Sequence, residues 1–391
     1  MKKLQKIMSY VVVAMLASML TLAIYQQEPE APSKLEVLED LIEEKFIGQY
    51  DSTAMQDAAA DAMIHALGDR WSYYIPASQY GDYLDQMSNS YVGIGVTIQL
   101  AEDQKGFRVM KVNDGGPADQ AGMLAGDKIV AVDGVDVREM TIDQTSALVK
   151  GEKNTTVDIT VERAGETLTL TVTRMLVETP VATAKMLEGN IGLVTIVNFD
   201  KRCASETIAA IDSLLEQGAQ KLIFDVRYNP GGYVTELVKV LDHILPEGDL
   251  FRSVDYEGKE SVNTSDAKCI EGIPMVVLVN GSSYSAAEFF AAALREYDYA
   301  LVVGEPTTGK GYFQYTFTLG DGSAVGLSVG KYFTPNGVSL AEEGGLIPDV
   351  TVPVDQEIAA GIYAGTLDPM EDPQILVAID TLNNSSLMPI N

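Results

Sequence analysis

Val276-Val277-Leu278-Val279 runs into Asn280-Gly281-Ser282-Ser283-Tyr284 and then into Ser285-Ala286-Ala287-Glu288. A short, unbroken, β-branched run reads as a strand buried on both faces. The small-residue turn after it feeds a segment predicted to be helical over 285–295. Such a turn presents a side chain at the end of a sheet and aims the free N–H groups of a helix start at whatever binds there. A hydroxyl here can act as a nucleophile, with the next N–H as an oxyanion donor. Serines are also common helix caps, and Ser282, Ser283 and Ser285 all compete for that role.

On either side, strands and helices alternate. Strands are predicted at 191–196, 221–226, 275–279 and 300–303, and helices at 205–217 and 234–244. This alternation indicates an α/β layer architecture. Two more loops follow predicted strands. Asp225-Val226-Arg227-Tyr228-Asn229-Pro230-Gly231-Gly232 reads as a tight turn whose glycines let backbone approach a ligand. Gly304-Glu305-Pro306-Thr307-Thr308-Gly309-Lys310-Gly311 has the glycine and lysine spacing of a phosphate loop. It lacks the Ser or Thr after the lysine, and residues 312–319 alternate like a strand instead of opening the helix that phosphate needs. Lys310 then reads either as a solvated turn lysine or as an amine partly desolvated behind a buried strand. Three loops after three neighbouring strands would share the strand ends where α/β sheets bind ligands.

The chain has two histidines, His65 and His243. Each falls in a predicted helix without a visible orienting partner, so a structural role is expected of both and a hydrolase would need another base. Residues 27–34 read as a linker and residues 35–87 as helical. Residues 91–174 read as a compact, mostly β domain, with period-2 runs, an Asp133-Gly134 hairpin turn and a helix at 142–149.

A net charge of -29 opposes nucleic-acid binding. Lys2, Lys3 and Lys6 precede an uncharged, largely apolar run over 7–25, the layout of an export signal or signal anchor. The run is long enough to span a bilayer, and the lysines would leave the bulk of the chain outside the cytoplasm. A single-pass cell-membrane protein with an extracytoplasmic catalytic part is therefore expected, or a secreted one if the leader is cleaved. Export would permit a disulfide between Cys203 and Cys269, the plainer reading being two free thiols.

Together these loops resemble the carboxyl-terminal processing (tail-specific) protease family. The resemblance rests on Asn280-Gly-Ser-Ser-Tyr-Ser-Ala-Ala-Glu288, on Val303-Gly-Glu-Pro-Thr-Thr-Gly-Lys-Gly-Tyr-Phe-Gln314, and on Asp225-x-Arg-x-Asn-Pro-Gly-Gly232. Leu67-Gly-Asp-Arg-Trp-Ser-Tyr-Tyr74 resembles the family's N-terminal helical region, and Gly116-Pro-Ala-Asp-Gln-Ala-Gly122 with Gly126-Asp127 its PDZ domain. The sequence departs from the pattern at Tyr284, where small residues are usual, at Thr308, where an aromatic is usual, and at Tyr91-Val92, in place of a common glycine pair.

The resemblance implies a multidomain α+β and α/β chain with a protease core built on a crotonase-like sheet. The expected divisions are a leader at 1–27, a helical region at 28–90, a PDZ domain at 91–174, the serine protease core at 175–355 and a helical segment at 356–391. It implies Ser285 as nucleophile, Lys310 as base and Gln314 as the amide that holds the neutral amine. Period 2 along a strand would put Lys310 and Gln314 on one face. The N–H of Ala286, with that of Gly231 or Gly232, would form the oxyanion hole. A lysine can serve as base only if burial lowers it from its ordinary pKa, to about 7–8 in catalytic cases. The PDZ domain would hold a C-terminal tail as an added strand, its carboxylate at the loop Tyr91, Val92, Gly93, Ile94 and an apolar last side chain in a pocket. The expected partners are unfolded proteins or exposed C-termini, and a homodimer through the helical ends. No cofactor and no metal is expected. The other reading is a catalytically inactive envelope PDZ scaffold or chaperone.

Overall fold

A computed structural model describes residues 2–25 and 32–384. The chain divides into two compact units, Met1–Ala60 and Asp61–Asn391. The first contains the helices Lys2–Tyr25 and Lys34–Lys45. The second of these is started by a reciprocal cap: Glu36 N–H donates to Ser33 Oγ and Ser33 N–H to the Glu36 carboxylate. Its apolar residues Leu35, Leu38 and Leu41 stay exposed. Among the described residues no helix is long and apolar enough to cross a membrane. The membrane anchor expected of the leader is therefore not supported.

In the second unit, six strands form the central sheet in the order Ala182–Leu187, Ile191–Ile196, Lys221–Asp225, Met275–Val279, Ala300–Gly304, Val350–Thr351. All pairings after the first are parallel. The run at 276–279 has no polar side because both faces are covered. Val277 and Val279 pack in the cluster that includes the helices Val234–Ile244 and Ala286–Glu296. Val276 and Leu278 pack in a separate cluster with Ile375, Ala378 and Leu382 of the helix Pro373–Asn384. Each valine or leucine so buried contributes about 1.5–3 kcal/mol. The register pairs Asp225 with Leu278 and Val279 with Gly304, so the loops after these strands leave the sheet at the same end.

An antiparallel sheet lies beside this core, built from Tyr73–Ile75, Gly248–Asp255, Glu260–Ser265, Tyr312–Thr318 and Ala324–Phe333. Only the first part of this sheet's alternation, at 312–319, is visible in the sequence pattern. The Tyr73–Ile75 strand pairs with Ala324–Phe333, which brings residues 69–72 from the N-terminal side against the segment after Lys310. Phe251 and Tyr332 of this sheet pack edge to face with Phe289 of the helix Ala286–Glu296, joining the sheet to the core.

The β-rich domain has its own core, including Ile94, Phe107, Val109, Ile129, Ile159 and Val161. Its sheet runs Val96–Leu100, Phe107–Val112, Lys128–Val132, Thr156–Arg163, Glu166–Thr173, with Val96–Leu100 at an open edge. Asp133 and Gly134 both have positive φ, 48° and 76°, as the hairpin signal requires. The chain enters and leaves this domain through a two-stranded ribbon, Ser90–Gly93 paired with Met175–Glu178.

Cys203 and Cys269 are both free, so the permitted disulfide is not formed. Cys203 is buried against Thr207, and burial pushes its thiol up to about 12.

Candidate active site

The three loops at the sheet's end are sewn together by backbone and amide hydrogen bonds. The Asn280 side-chain oxygen accepts from the N–H of Tyr228 at 3.0 Å and of Ser282 at 3.1 Å. Ser283 Oγ accepts from Asn280 N–H at 3.0 Å and donates to the Val226 carbonyl at 2.7 Å. Tyr284 N–H donates to the Asn229 carbonyl at 3.1 Å. These contacts separate the three serines. Ser283 is fully buried and its hydroxyl is committed to the loop, while Ser282 is exposed. Ser285 sits at the strand-to-helix corner with φ 57° and ψ -127°, a conformation that costs a non-glycine residue about 1–3 kcal/mol and is concentrated at functional turns.

Glu288 lies one turn into the helix and is completely buried. Its carboxylate accepts from the N–H of Ser285 at 2.8 Å, of Gly309 at 2.7 Å and of Lys310 at 2.8 Å, and from the Thr307 hydroxyl. Four donors compensate a charge that would otherwise be prohibitively desolvated. One side chain thus fixes the main chain of Ser285 to that of Lys310. The sequence places a Glu at the third helical position, where it passes for an ordinary cap.

The Lys310 amine is largely enclosed. Its Nζ lies 4.9 Å from the centroid of the Trp71 ring and 5.8 Å from that of Tyr284. Burial pulls its pKa down to about 8, against the opposing fields of Asp69 and Glu288. For Asp69 the largest influence is burial, which raises it. Hydrogen bonds from Ser72, Ser328 and the Trp71 N–H together outweigh that and leave the carboxyl below its usual range. No hydrogen bond joins Ser285 Oγ to Lys310 Nζ in this structure; the amine rests toward the two aromatic rings.

Gly231 and Gly232 both have positive φ, 87° and 149°. A Cβ on Gly231 would come within 2.7 Å of Ser285 Cβ and 2.9 Å of Ala286 N, so only glycine allows this approach. The Gly231 N–H is taken by the Asn229 side chain at 2.8 Å. The N–H groups of Gly232 and of Ala286, the first helical residue, have no hydrogen-bond partner among the described residues. Of the two glycines, Gly232 is the one with a donor left to offer.

Arg227 explains the rest of the Asp-x-Arg loop. Its guanidinium is paired with Asp225 at 2.6 Å and with Asp372 at 2.8 Å, and also donates to Gln374 at 2.8 Å. All four side chains are buried. The cluster ties the glycine loop to the start of the Pro373–Asn384 helix.

Gln314 is placed differently from the period-2 expectation. The strand begins only at Tyr312, and a register shift lies between Phe313 and Gln314. The Gln314 amide donates to the Ser328 hydroxyl at 3.0 Å and to the Tyr312 carbonyl at 3.3 Å, and neither partner is Lys310. His65 is exposed, with Asp61 as its neighbour. His243 does have a charged neighbour that the sequence hides: its Nε2 lies 3.2 Å from Asp212 Oδ1 of the preceding helix. Both belong to a cleft lined by residues outside the three loops.

In the β-rich domain, Tyr91, Val92 and Gly93 are registered against Val177, Leu176 and Met175, so they form part of the connecting ribbon. Ile94 is buried, and its carbonyl accepts from Ala118 N–H at 2.9 Å. It leads through Gly95 into the open-edged strand Val96–Leu100. Among the described residues no group of acidic, histidine or cysteine side chains is arranged to hold a metal.

Residues 190–352 match the model of peptidase family S41, and residues 108–163 match a PDZ domain. The carboxy-terminal processing protease CtpA of Bacillus subtilis (strain 168) is 32% identical, covering 80% of this chain and 67% of that protein. The carboxyl-terminal-processing protease of Synechocystis sp. (strain ATCC 27184 / PCC 6803 / Kazusa) is 31% identical over 75% of this chain and 70% of its own. Among solved structures, a photosystem II D1 C-terminal processing protease is 29% identical, with a TM-score of 0.48, covering 88% of this chain and 93% of that one. With two relatives above 30% identity across most of their length, the chain belongs to the carboxy-terminal processing protease family, the S41 serine-type peptidases that carry a PDZ domain.

Proposed function

We propose that this chain is an endopeptidase in which Ser285 attacks the scissile carbonyl and Lys310, as the neutral amine, takes the hydroxyl proton. The observation that carries the proposal is the Glu288 carboxylate, which holds the N–H of both residues at 2.8 Å. The main chains of both residues are thereby held to one side chain, and catalytic hydrogen bonds commonly tighten only once substrate is bound. The N–H groups of Ala286 and Gly232 would stabilise the tetrahedral oxyanion, a contribution worth about 100- to 1,000-fold in rate per donor. The amine then returns its proton to the leaving nitrogen, and water repeats the cycle on the acyl-enzyme. Gln314 belongs to this proposal as a support of the strand behind Lys310, through Ser328.

Substrates are proposed to be exported or envelope proteins that present apolar C-termini. The open edge at Val96–Leu100 would take the tail as an added strand, with its carboxylate at the Ile94–Gly95 turn. Fluorescent peptides ending in valine or leucine should bind at least about tenfold tighter than the same peptides ending in aspartate, a gap of roughly 1.4 kcal/mol. Equal affinities would remove tail recognition from the proposal. Homodimerisation through the exposed Leu35, Leu38 and Leu41 face is part of the same reading, to be checked by sedimentation.

The mechanism is tested by cleavage of an unfolded protein. Ser285→Ala should lose activity by about 10⁴-fold or more while folding normally. Ser283→Ala should keep most activity at low temperature yet lose about 1–3 kcal/mol of stability, because the Asn280 N–H loses its buried acceptor and the Val226 carbonyl one of its donors. Undiminished cleavage by Ser285→Ala, or a dead but fully stable Ser283→Ala, would exchange the roles of the two hydroxyls.

A further inference from the structure

We infer that Trp71, carried by the N-terminal segment ahead of the PDZ domain, is a positioning residue for the protease site: with Tyr284 it forms an aromatic seat that encloses the Lys310 amine. The inference rests on the reading of Lys310 as base and assigns what keeps that amine dry.

Three observations support it. First, the two rings lie together, with centroids 5.9 Å apart and planes inclined by 32°, and Lys310 Nζ lies within 6 Å of both. Second, the seat is held firmly. Trp71 N–H donates to Asp69 Oδ1 at 3.1 Å, and Ser72 Oγ donates to Asp69 Oδ2 at 2.6 Å. Ser72 Oγ in turn accepts from Ser328 N–H at 3.1 Å, and Ser328 lies on the strand paired with Tyr312–Thr318, directly after Lys310. Third, the exposed Arg70 guanidinium lies 4.2 Å from the centroid of the Trp71 ring. A bulky apolar plate therefore arrives from about 240 residues away in sequence and is locked beside the base.

The charged and titratable groups around the amine are Asp69, Glu288, Tyr284 and, across the indole, Arg70. Two effects of the rings oppose each other. Their π faces attract an ammonium. Their bulk excludes the water an ammonium needs. Burial is the largest influence on the amine and outweighs the two carboxylates that favour its charge. The seat therefore holds the charged amine at rest but keeps it easily deprotonated, and the neutral form is free to turn toward Ser285.

Trp71 is the single tryptophan of the chain, so its emission reports on its neighbour directly. In the full-length protein, tryptophan fluorescence followed between about pH 6.5 and 9.5, below the ordinary tyrosine range, should show one transition centred near 8. That transition should vanish in Lys310→Met. A flat wild-type titration, or an identical transition in Lys310→Met, would overturn the inference. In parallel, Trp71→Ala should move the acid limb of kcat/KM upward by about one pH unit or more, toward the ordinary lysine range. Activity should recover at alkaline pH, and Trp71→Phe should restore the limb. A Trp71→Ala enzyme with a lowered plateau but an unmoved limb would mean that the indole only stabilises the fold. Cleavage by Lys310→Ala separates the two levels: persistent activity removes the base assignment, whereas a dead Lys310→Ala with no fluorescence transition in the wild type removes only the seat.

Discussion

Lys310→Met is expected to abolish cleavage at every pH and, at the same time, to make the folded chain more stable near neutrality. The first effect follows from the loss of the base and should reach about 10⁴-fold or more in kcat. The second follows from linkage. The wild-type amine has a folded pKa of about 8 against an ordinary value of 10.5. Between those values the unfolded chain binds more protons than the folded one, so stability rises with pH across that window. Below about 8 the folded protein carries the whole burden of an ammonium in a dry site, up to about 3 kcal/mol. A methionine of similar length removes it. The stability difference between variant and wild type should be largest below pH 8 and should shrink as pH approaches 10.5, which urea titrations at several pH values will read. The same deprotonation should make wild-type kcat/KM climb to a plateau through about pH 8. A variant less stable than wild type at pH 7, or a wild-type rate that is flat from pH 6 to 9, would contradict a buried, depressed amine.

Arg227→Leu should cost about 3–5 kcal/mol, the usual result of leaving a buried charge without its partner. Here two carboxylates, Asp225 and Asp372, would be stranded together. Arg227→Lys should recover little, because a single ammonium cannot reproduce the fork that meets Asp225 twice and Asp372 and Gln374 besides. The loss should appear in the denaturation midpoint and also in kcat, since the loop that carries Gly231 and Gly232 begins at this arginine. Full activity with an unchanged midpoint would mean that the cluster contributes nothing beyond its own desolvation.

The sequence is most informative where the chemistry is local. The run at 276–279, the small-residue corner and the Ala-rich helix start lie within one stretch, and they place Ser285 where the structure has it. The phosphate-loop resemblance around Lys310 fails on a local ground as well: a strand, not a helix, follows at Tyr312. The helices 234–244 and 142–149 and the strands 191–196 and 275–279 are found with the predicted limits. What is not legible depends on partners far along the chain. Glu288 looks like a cap until Gly309 and Lys310 are seen to donate to it. Trp71 and Asp69 look like part of a helical preamble until the Tyr73–Ile75 strand docks on Ala324–Phe333. Arg227 looks like a turn residue until Asp372 arrives. The face shared by Lys310 and Gln314 fails for a different reason: period 2 holds only within a strand, and Lys310 lies in the loop before the strand begins at Tyr312. The leader's hydrophobicity is plain in the sequence, yet among the described residues no helix is long and apolar enough to cross a membrane.

The buried pair between Arg227 and Asp372 has a bearing on biosynthesis. Its two halves are separated by nearly the whole protease core, so the pair cannot form until the chain well beyond Lys310 has been made. A ribosome-bound chain that already displays Ser285 and Lys310 still lacks the helix that steadies the glycine loop. Limited proteolysis of stalled nascent chains should find the glycine loop unprotected until the segment carrying Asp372 has emerged.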